Sequence, residues 1–100
     1  IVPIHPSVTS GITDLLEMLK DPLRLKLVFS LVEQETSVED LERRLHASQS
    51  HLSQHLRALK FAGIVASRRD GRRNLYSLTN QNAGRLIVSL HTIFCAKSRP

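Results

Sequence analysis

Between residues 48 and 63 the chain reads SQSHLSQHLRALKFAG, and four of its side chains are of the kind that read a base edge. Gln49 and Gln54 carry amides that can pair with adenine through two hydrogen bonds, and the hydroxyls of Ser50 and Ser53 can contact either kind of edge. At about 100° per residue in a helix, these four fan over one arc together with Arg57 and Lys60. No acid interrupts that arc. The readers cluster in the first turns, the end of a recognition helix that contacts bases. The next segment, IVASRRDGRRNLYSLT, sets Arg68, Arg69, Arg72 and Arg73 around an Asp70-Gly71 turn signal. Guanidinium groups on such a hairpin suit phosphates or a minor groove. Ser37, Ser48 and Arg57 are placed for phosphates as well. Double-stranded DNA is therefore the expected partner, with Ser37, Ser48, Gln49, Ser50, Ser53, Gln54, Arg57, Arg68, Arg69, Arg72 and Arg73 as its contacts.

Two other constellations suggest different chemistry. His51 and His55 stand at i and i+4, which is half of a zinc site. No glutamate lies between them in the HExxH manner, and no third ligand accompanies them. On the helical wheel they flank the leucines, so His55 is expected to be partly buried. No metal and no cofactor is expected. Cys95 follows His91 by one helical turn, which could set a base beside a thiol, but no acid nearby in sequence orients the imidazole. The chain does not read as an enzyme. Cys95 is the redox candidate, because a lone thiol can pass to sulfenic acid. Its plainer role is as a small apolar residue in a helix interface.

The charge distribution supports the nucleic-acid reading. Residues 1–42 carry three bases against eight acids, a net −5, whereas residues 43–100 carry eleven bases against Asp70 alone, a net +10. A basic block that coincides with a polar helix and a hairpin is an electrostatic footprint for a polyanion. One hundred residues make one small domain, with 41% hydrophobic residues for one core. A partner subunit would help so small a core. No run approaches the ~20 apolar residues of a membrane span. No signal-peptide pattern opens the sequence, and the one cysteine fits a reducing compartment, so a cytoplasmic protein is expected.

The elements that must position these residues follow from local signals. Ile1–Ser10, with Pro3 and Pro6, reads as a flexible extended arm, leaving 11–97 as the folded domain. Thr9 or Ser10 could cap a helix over Gly11–Lys20, with Ile12, Leu15, Leu16 and Leu19 on one side. Asp21-Pro22 is a strong start signal for a helix to Gln34 that is apolar nearly all round. Ser37 opens the next helix, with Asp40 three residues on as a variant of the capping box. Its Val38, Leu41 and Leu45 face inward. Leu45–Ser48 leaves room only for a tight turn into the helix capped by Ser48 and stopped by Gly63. Strands are expected at Ile64–Arg69 and Arg72–Leu78. A last helix, capped by Thr79 or Asn80, runs to about Lys97, with Leu86, Leu90, Ile93 and Phe94 as one stripe and Val88 and Cys95 opposite. The sequence is thus mainly α with a small β-hairpin, in the order α-α-α-α-β-β-α. That is a winged helix-turn-helix.

The text LKDPLRLKLVFSLVEQETSVEDLERRL, ASQSHLSQHLRALKFAGIV and RRDGRRNLYSL resembles the ArsR/SmtB family of small bacterial winged-helix repressors, over about Leu19–Leu78. The resemblance implies a homodimer paired through the first and last helices, binding to a palindromic operator, and release by a chemical signal. The family's thiolate metal site does not carry over, because Ser37 stands at the cysteine position. Its site between the last helices would fall on Asn80, Asn82, Ile93 and Ala96, which lack the charged ligands. The resemblance is closest to the thiol-sensing branch, in which a cysteine of the second helix pairs with one in the last. Cys95 matches the latter. The former falls at about Phe29, beside Ser30, so no intramolecular disulfide can form. Release by oxidants or reactive sulfur species would run through Cys95. The alternatives are a winged-helix module that binds protein instead of DNA, and a metal-responsive repressor with a non-standard site.

Overall fold

A computed structural model describes residues 2–98, the last three as backbone only. Five helices and three short strands follow one another: α1 (Pro6–Leu19), α2 (Pro22–Glu33), β1 (Thr36–Ser37), α3 (Val38–Leu45), α4 (Gln49–Phe61), β2 (Val65–Asp70), β3 (Arg73–Leu78) and α5 (Gln81–Ser98).

α2 forms because Asp21 and Pro22 begin it. The Asp21 carboxylate accepts from the amides of Leu23 at 2.9 Å and Arg24 at 3.1 Å, and proline occupies the first turn, where its missing N–H costs nothing. Leu27, Val28 and Leu31 are buried, and α1, α3, α4, α5 and β3 all pack around the helix. α4 presents Leu52, Leu56 and Leu59 to the same core, each essentially inaccessible to solvent. Ile64, Val65, Ala83 and Ile87 close it.

α3 and α4 meet through a turn in which His46 takes the left-handed conformation (φ 51°) and its amide returns to the Glu42 carbonyl. A non-glycine residue rarely adopts that backbone. Here it reverses the chain within three residues and delivers Ser48 to cap α4, its Oγ accepting from the His51 amide at 3.3 Å. Gly63 ends the following segment at φ 76°, as its position after the helix requires.

Several elements depart from their sequence reading. The expected arm over Ile1–Ser10 is already helical from Pro6, with the His5 ring nitrogen accepting from the Ser7 amide at 3.1 Å in place of a cap at Thr9 or Ser10. Proline at the first helical position starts a helix as readily as it breaks one. The stripe assigned to α1 splits: Leu19 is buried and Leu15 half-buried, whereas Ile12 and Leu16 are exposed and align with exposed Val8. α5 turns similarly. Ala83 and Ile87 are buried, Leu86 is half-buried, and Leu90, Ile93 and Phe94 are exposed. Asn80 caps α5, its Oδ1 accepting from the Ala83 amide.

The hairpin is part of a three-stranded antiparallel sheet in the order β1-β3-β2. Thr36 lies opposite Tyr76 and Ser37 opposite Leu75, so a two-residue strand joins the wing to the start of α3. Asp70 pairs with Arg73, which places the turn at Gly71-Arg72, one residue later than the Asp70-Gly71 reading. Gly71 takes φ 65° at the first central position, the place where such a two-residue turn needs glycine.

Because Leu56 is buried at the junction of α4 with the core, Leu56→Ala is expected to cost about 2–5 kcal/mol of unfolding free energy. A chemical-denaturation midpoint indistinguishable from wild type would contradict the packing described.

Candidate nucleic-acid interface

The face of α4 opposite its leucines is open to solvent. Gln49, Ser50, Gln54 and Arg57 are exposed along it, Ser53 is half-buried, and Lys60 lies one turn beyond Arg57. The burial of Leu52, Leu56 and Leu59 fixes the helix rotation, so the polar arc has one direction to face. Ser48 is exposed at the helix start, but its hydroxyl is engaged by the His51 amide and lies 3.3 Å from the Ser50 hydroxyl.

The wing stands beside this helix. Lys60 near the end of α4 donates to Ser67 of β2 at 2.7 Å, tying helix to hairpin. Arg69 and Arg72 are exposed along and at the tip of the hairpin. Arg68 is directed elsewhere. Its guanidinium makes a two-pronged pair with Glu35, Nε to Oε2 at 2.8 Å and Nη2 to Oε1 at 2.7 Å. Two parallel bonds of this kind fix orientation as well as distance. The pair holds the Glu35 carboxyl below the usual carboxylate range and raises the Arg68 guanidinium, the side-chain hydrogen bond being the main cause of each shift. Arg73 lies 3.7 Å from Asp40 of α3, which also pairs with Arg43. The Asp40 amide completes half of the capping box on Ser37 Oγ at 3.2 Å, but its carboxylate turns to these arginines.

The side chains of two expected contacts are engaged within the protein. Ser37 is 1% exposed, locked between strand pairing and the cap of α3, and offers no surface to a phosphate. Arg68 serves first as an anchor of the wing. Sequence reasoning does not single out Glu35 and Asp40 as partners of the wing. Glu35 is 33 residues from Arg68, a separation that no local pattern reveals. The acid–base spacing of Asp40 and Arg43 on one helix is the only legible trace of that cluster.

The remaining constellations are the histidine pair of α4 and Cys95 with His91. His55 is half-buried with Nε2 3.8 Å from Asp21, while His51 is exposed. The Asp21 carboxyl is held below its usual range first by the Arg24 amide and also by His55. Among the described residues, no group of three His, Cys, Asp or Glu side chains gathers as a metal site would need. The Ala96 side chain lies outside the described residues. Cys95 is half-buried with Sγ 3.4 Å from His91 Nε2, and the His91 ring lies against Phe29 with centroids 4.6 Å apart. No helix of the described residues is long and apolar enough to cross a membrane.

A helix-turn-helix whose second helix exposes amides, hydroxyls and bases beside a basic β-wing defines a winged-helix DNA-binding protein. The family model for bacterial regulatory proteins of the arsR family matches residues 21–67, from the cap of α2 into β2. The biofilm growth-associated repressor of Xylella fastidiosa (strain 9a5c) is 43% identical over 88 residues, 88% of this chain and 77% of that protein. The crystal structure of the transcriptional repressor BigR from Xylella fastidiosa superimposes with a TM-score of 0.84 at 42% identity, covering 87% of this chain and 89% of the other. HlyU from Vibrio cholerae superimposes with a TM-score of 0.85 at 32% identity, covering 91% and 99%. The chain belongs to the ArsR family, and it is a DNA-binding transcriptional regulator.

The Glu35–Arg68 anchor has a defined pH signature. A carboxyl held low when folded stabilises the fold above its unfolded value near 4.5, and that contribution fades as pH falls through the lower folded value. Glu35→Gln is therefore expected to flatten the loss of stability between about pH 6 and about pH 3, and to reduce amide protection in β2 and β3 at neutral pH. Parallel stability–pH curves together with unchanged amide protection in β2 and β3 would remove the anchor.

Proposed function

We propose that the chain acts as a homodimeric repressor in the bacterial cytoplasm, reading a palindromic operator with α4 and holding the flanking backbone with the wing. The observation that carries this reading is the exposed row Gln49, Ser50, Gln54 and Arg57, flanked by Arg69 and Arg72. Gln49, Ser50, Ser53 and Gln54 are assigned to base edges, Gln54 having the clearest exposure at mid-helix. Ser48, Arg57, Arg69, Arg72 and Arg73 are assigned to phosphates. Exposed Val8, Ile12 and Leu16 on α1, and Ile93 on α5, supply the apolar faces for a second subunit. Two subunits related by a two-fold axis would present their α4 helices to half-sites about 34 Å apart.

Titration of a palindromic duplex should saturate at two chains per duplex. An Arg72→Ala/Arg73→Ala protein is expected to bind all duplexes more weakly, with the slope of log affinity against log salt reduced by about one for each phosphate that is no longer neutralised. Gln54→Ala should instead relax base preference and leave that slope in place. An unchanged salt slope in the double variant would remove the wing from the interface, and no binding of any duplex at low salt would favour a protein-interaction module.

Release by oxidants is assigned to Cys95. A peroxide would transfer one oxygen to the thiolate, giving sulfenic acid and hydroxide, and His91 at 3.4 Å is the neighbour that would feel the change. Cys95→Ser is expected to keep the operator affinity of the reduced protein and to lose any response to peroxide. A retained response would place the sensing elsewhere.

A further inference from the structure

A cavity of about 480 Å³ opens between α2 and α5. Its walls are chiefly apolar: Phe29 from α2, Leu45 from the end of α3, and Ile87, Leu90 and Phe94 from α5. Two polar groups break this lining on one side. Lys26 and Ser30 stand at i and i+4 of α2, so ammonium and hydroxyl lie one above the other on the same wall. Neither has a hydrogen-bond or ion-pair partner among the described residues, and no acid lines the cavity. His91 contributes a third polar edge from the opposite helix.

This is the composition of a small-molecule site: concave, mostly apolar, of ligand size, with a few converging donors. We propose that the cavity binds an amphipathic monocarboxylate as an effector, its apolar body between Phe29, Leu90 and Phe94 and its carboxylate on Lys26 and Ser30. Charge complementarity selects the head group. A cation would meet Lys26, and a neutral alcohol would leave the ammonium without a counter-charge. The apolar face of a second copy fits less well, because it would bring no counter-charge to the Lys26 ammonium on this wall. Leu45 gives the site its route to DNA, since it ends α3 four residues before α4 begins at Gln49, across the His46 turn. That route rests on the DNA-binding reading above; ligand binding itself does not.

Calorimetric titration of the DNA-free protein with decanoate, decanol and decylammonium, all below micellar concentration, tests the site. Decanoate is expected to bind once per chain and at least about fivefold more tightly than either analogue. Lys26→Met should weaken decanoate about fivefold and leave decanol unchanged, and Leu90→Trp, which fills the cavity, should abolish binding while DNA affinity without ligand stays intact. Saturating decanoate should change the operator affinity of the wild type, but not of Leu90→Trp, by at least threefold. Absence of decanoate binding, or equal binding of decanol with no effect of Lys26→Met, overturns the proposal. So does sedimentation showing that decanoate splits a dimer, since the cavity would then be a subunit contact. Binding without any change in operator affinity overturns the effector role, whereas loss of DNA binding in the untreated protein would be a failure of the recognition reading instead.

Discussion

The exposed polar face of α4 depends on the burial of one helix. α2 is apolar nearly all round, and the other helices and β3 are placed by packing on it. Its Leu27 and Val28 are fully out of solvent, as are Leu52 and Leu59 of α4. Burial of that many leucines is worth far more than any polar contact on the surface. The core therefore decides the rotation of α4 about its own axis. A rotation by one residue, about 100°, would bring the leucines out and the glutamines in. The polar face has no say in its own direction; it is what the leucines leave over.

Electrostatics then act on a frame already set. The basic half of the chain does not present all its charge. Arg68 is tied to Glu35, and Arg43 and Arg73 share Asp40. Exposed ion pairs of this sort add little to stability, and each lowers the positive charge available to a polyanion. What they provide is geometry. Arg69 and Arg72 project from a hairpin whose middle is pinned by Arg68 to Glu35 and by Ser67 to Lys60.

The middle of the fold is legible in the sequence because its signals are local. Asp21-Pro22, Ser37 and Ser48 each cap the helix that follows, as their residue types predict, and the leucine spacing of α4 gives its buried face directly. The features that differ depend on distant partners or on uncommon local choices. Histidine at position 5 is an unusual cap, so the proline-bearing start reads as an arm. β1 has two residues and no pattern of its own; only the edge of β3 makes it a strand. Ser37 carries the right atoms for a phosphate contact, but its burial follows from that same strand pairing. On α5 a helical wheel shows two apolar faces without saying which of them meets the core. For the interface, residue types suffice to nominate α4 and the wing, whereas the engagement of Arg68 by an acid far away in sequence does not show.

The two residues of β1 have a consequence for the shape of DNA this protein can accept. They stitch the wing to the first residue of α3, and α3 is joined to α4 by a turn of three residues. Hairpin and α4 are therefore linked through α3, which restricts how far they can move apart. The span from the exposed arc of α4 to the tip at Gly71-Arg72 works as a caliper of set opening. On the proposed reading, a duplex held at both points would have to supply the matching distance between its grooves. Base steps that narrow or bend easily would meet it at low cost, and rigid ones would resist. Sequence beyond the reach of any side chain would thus enter recognition through the stiffness of the DNA.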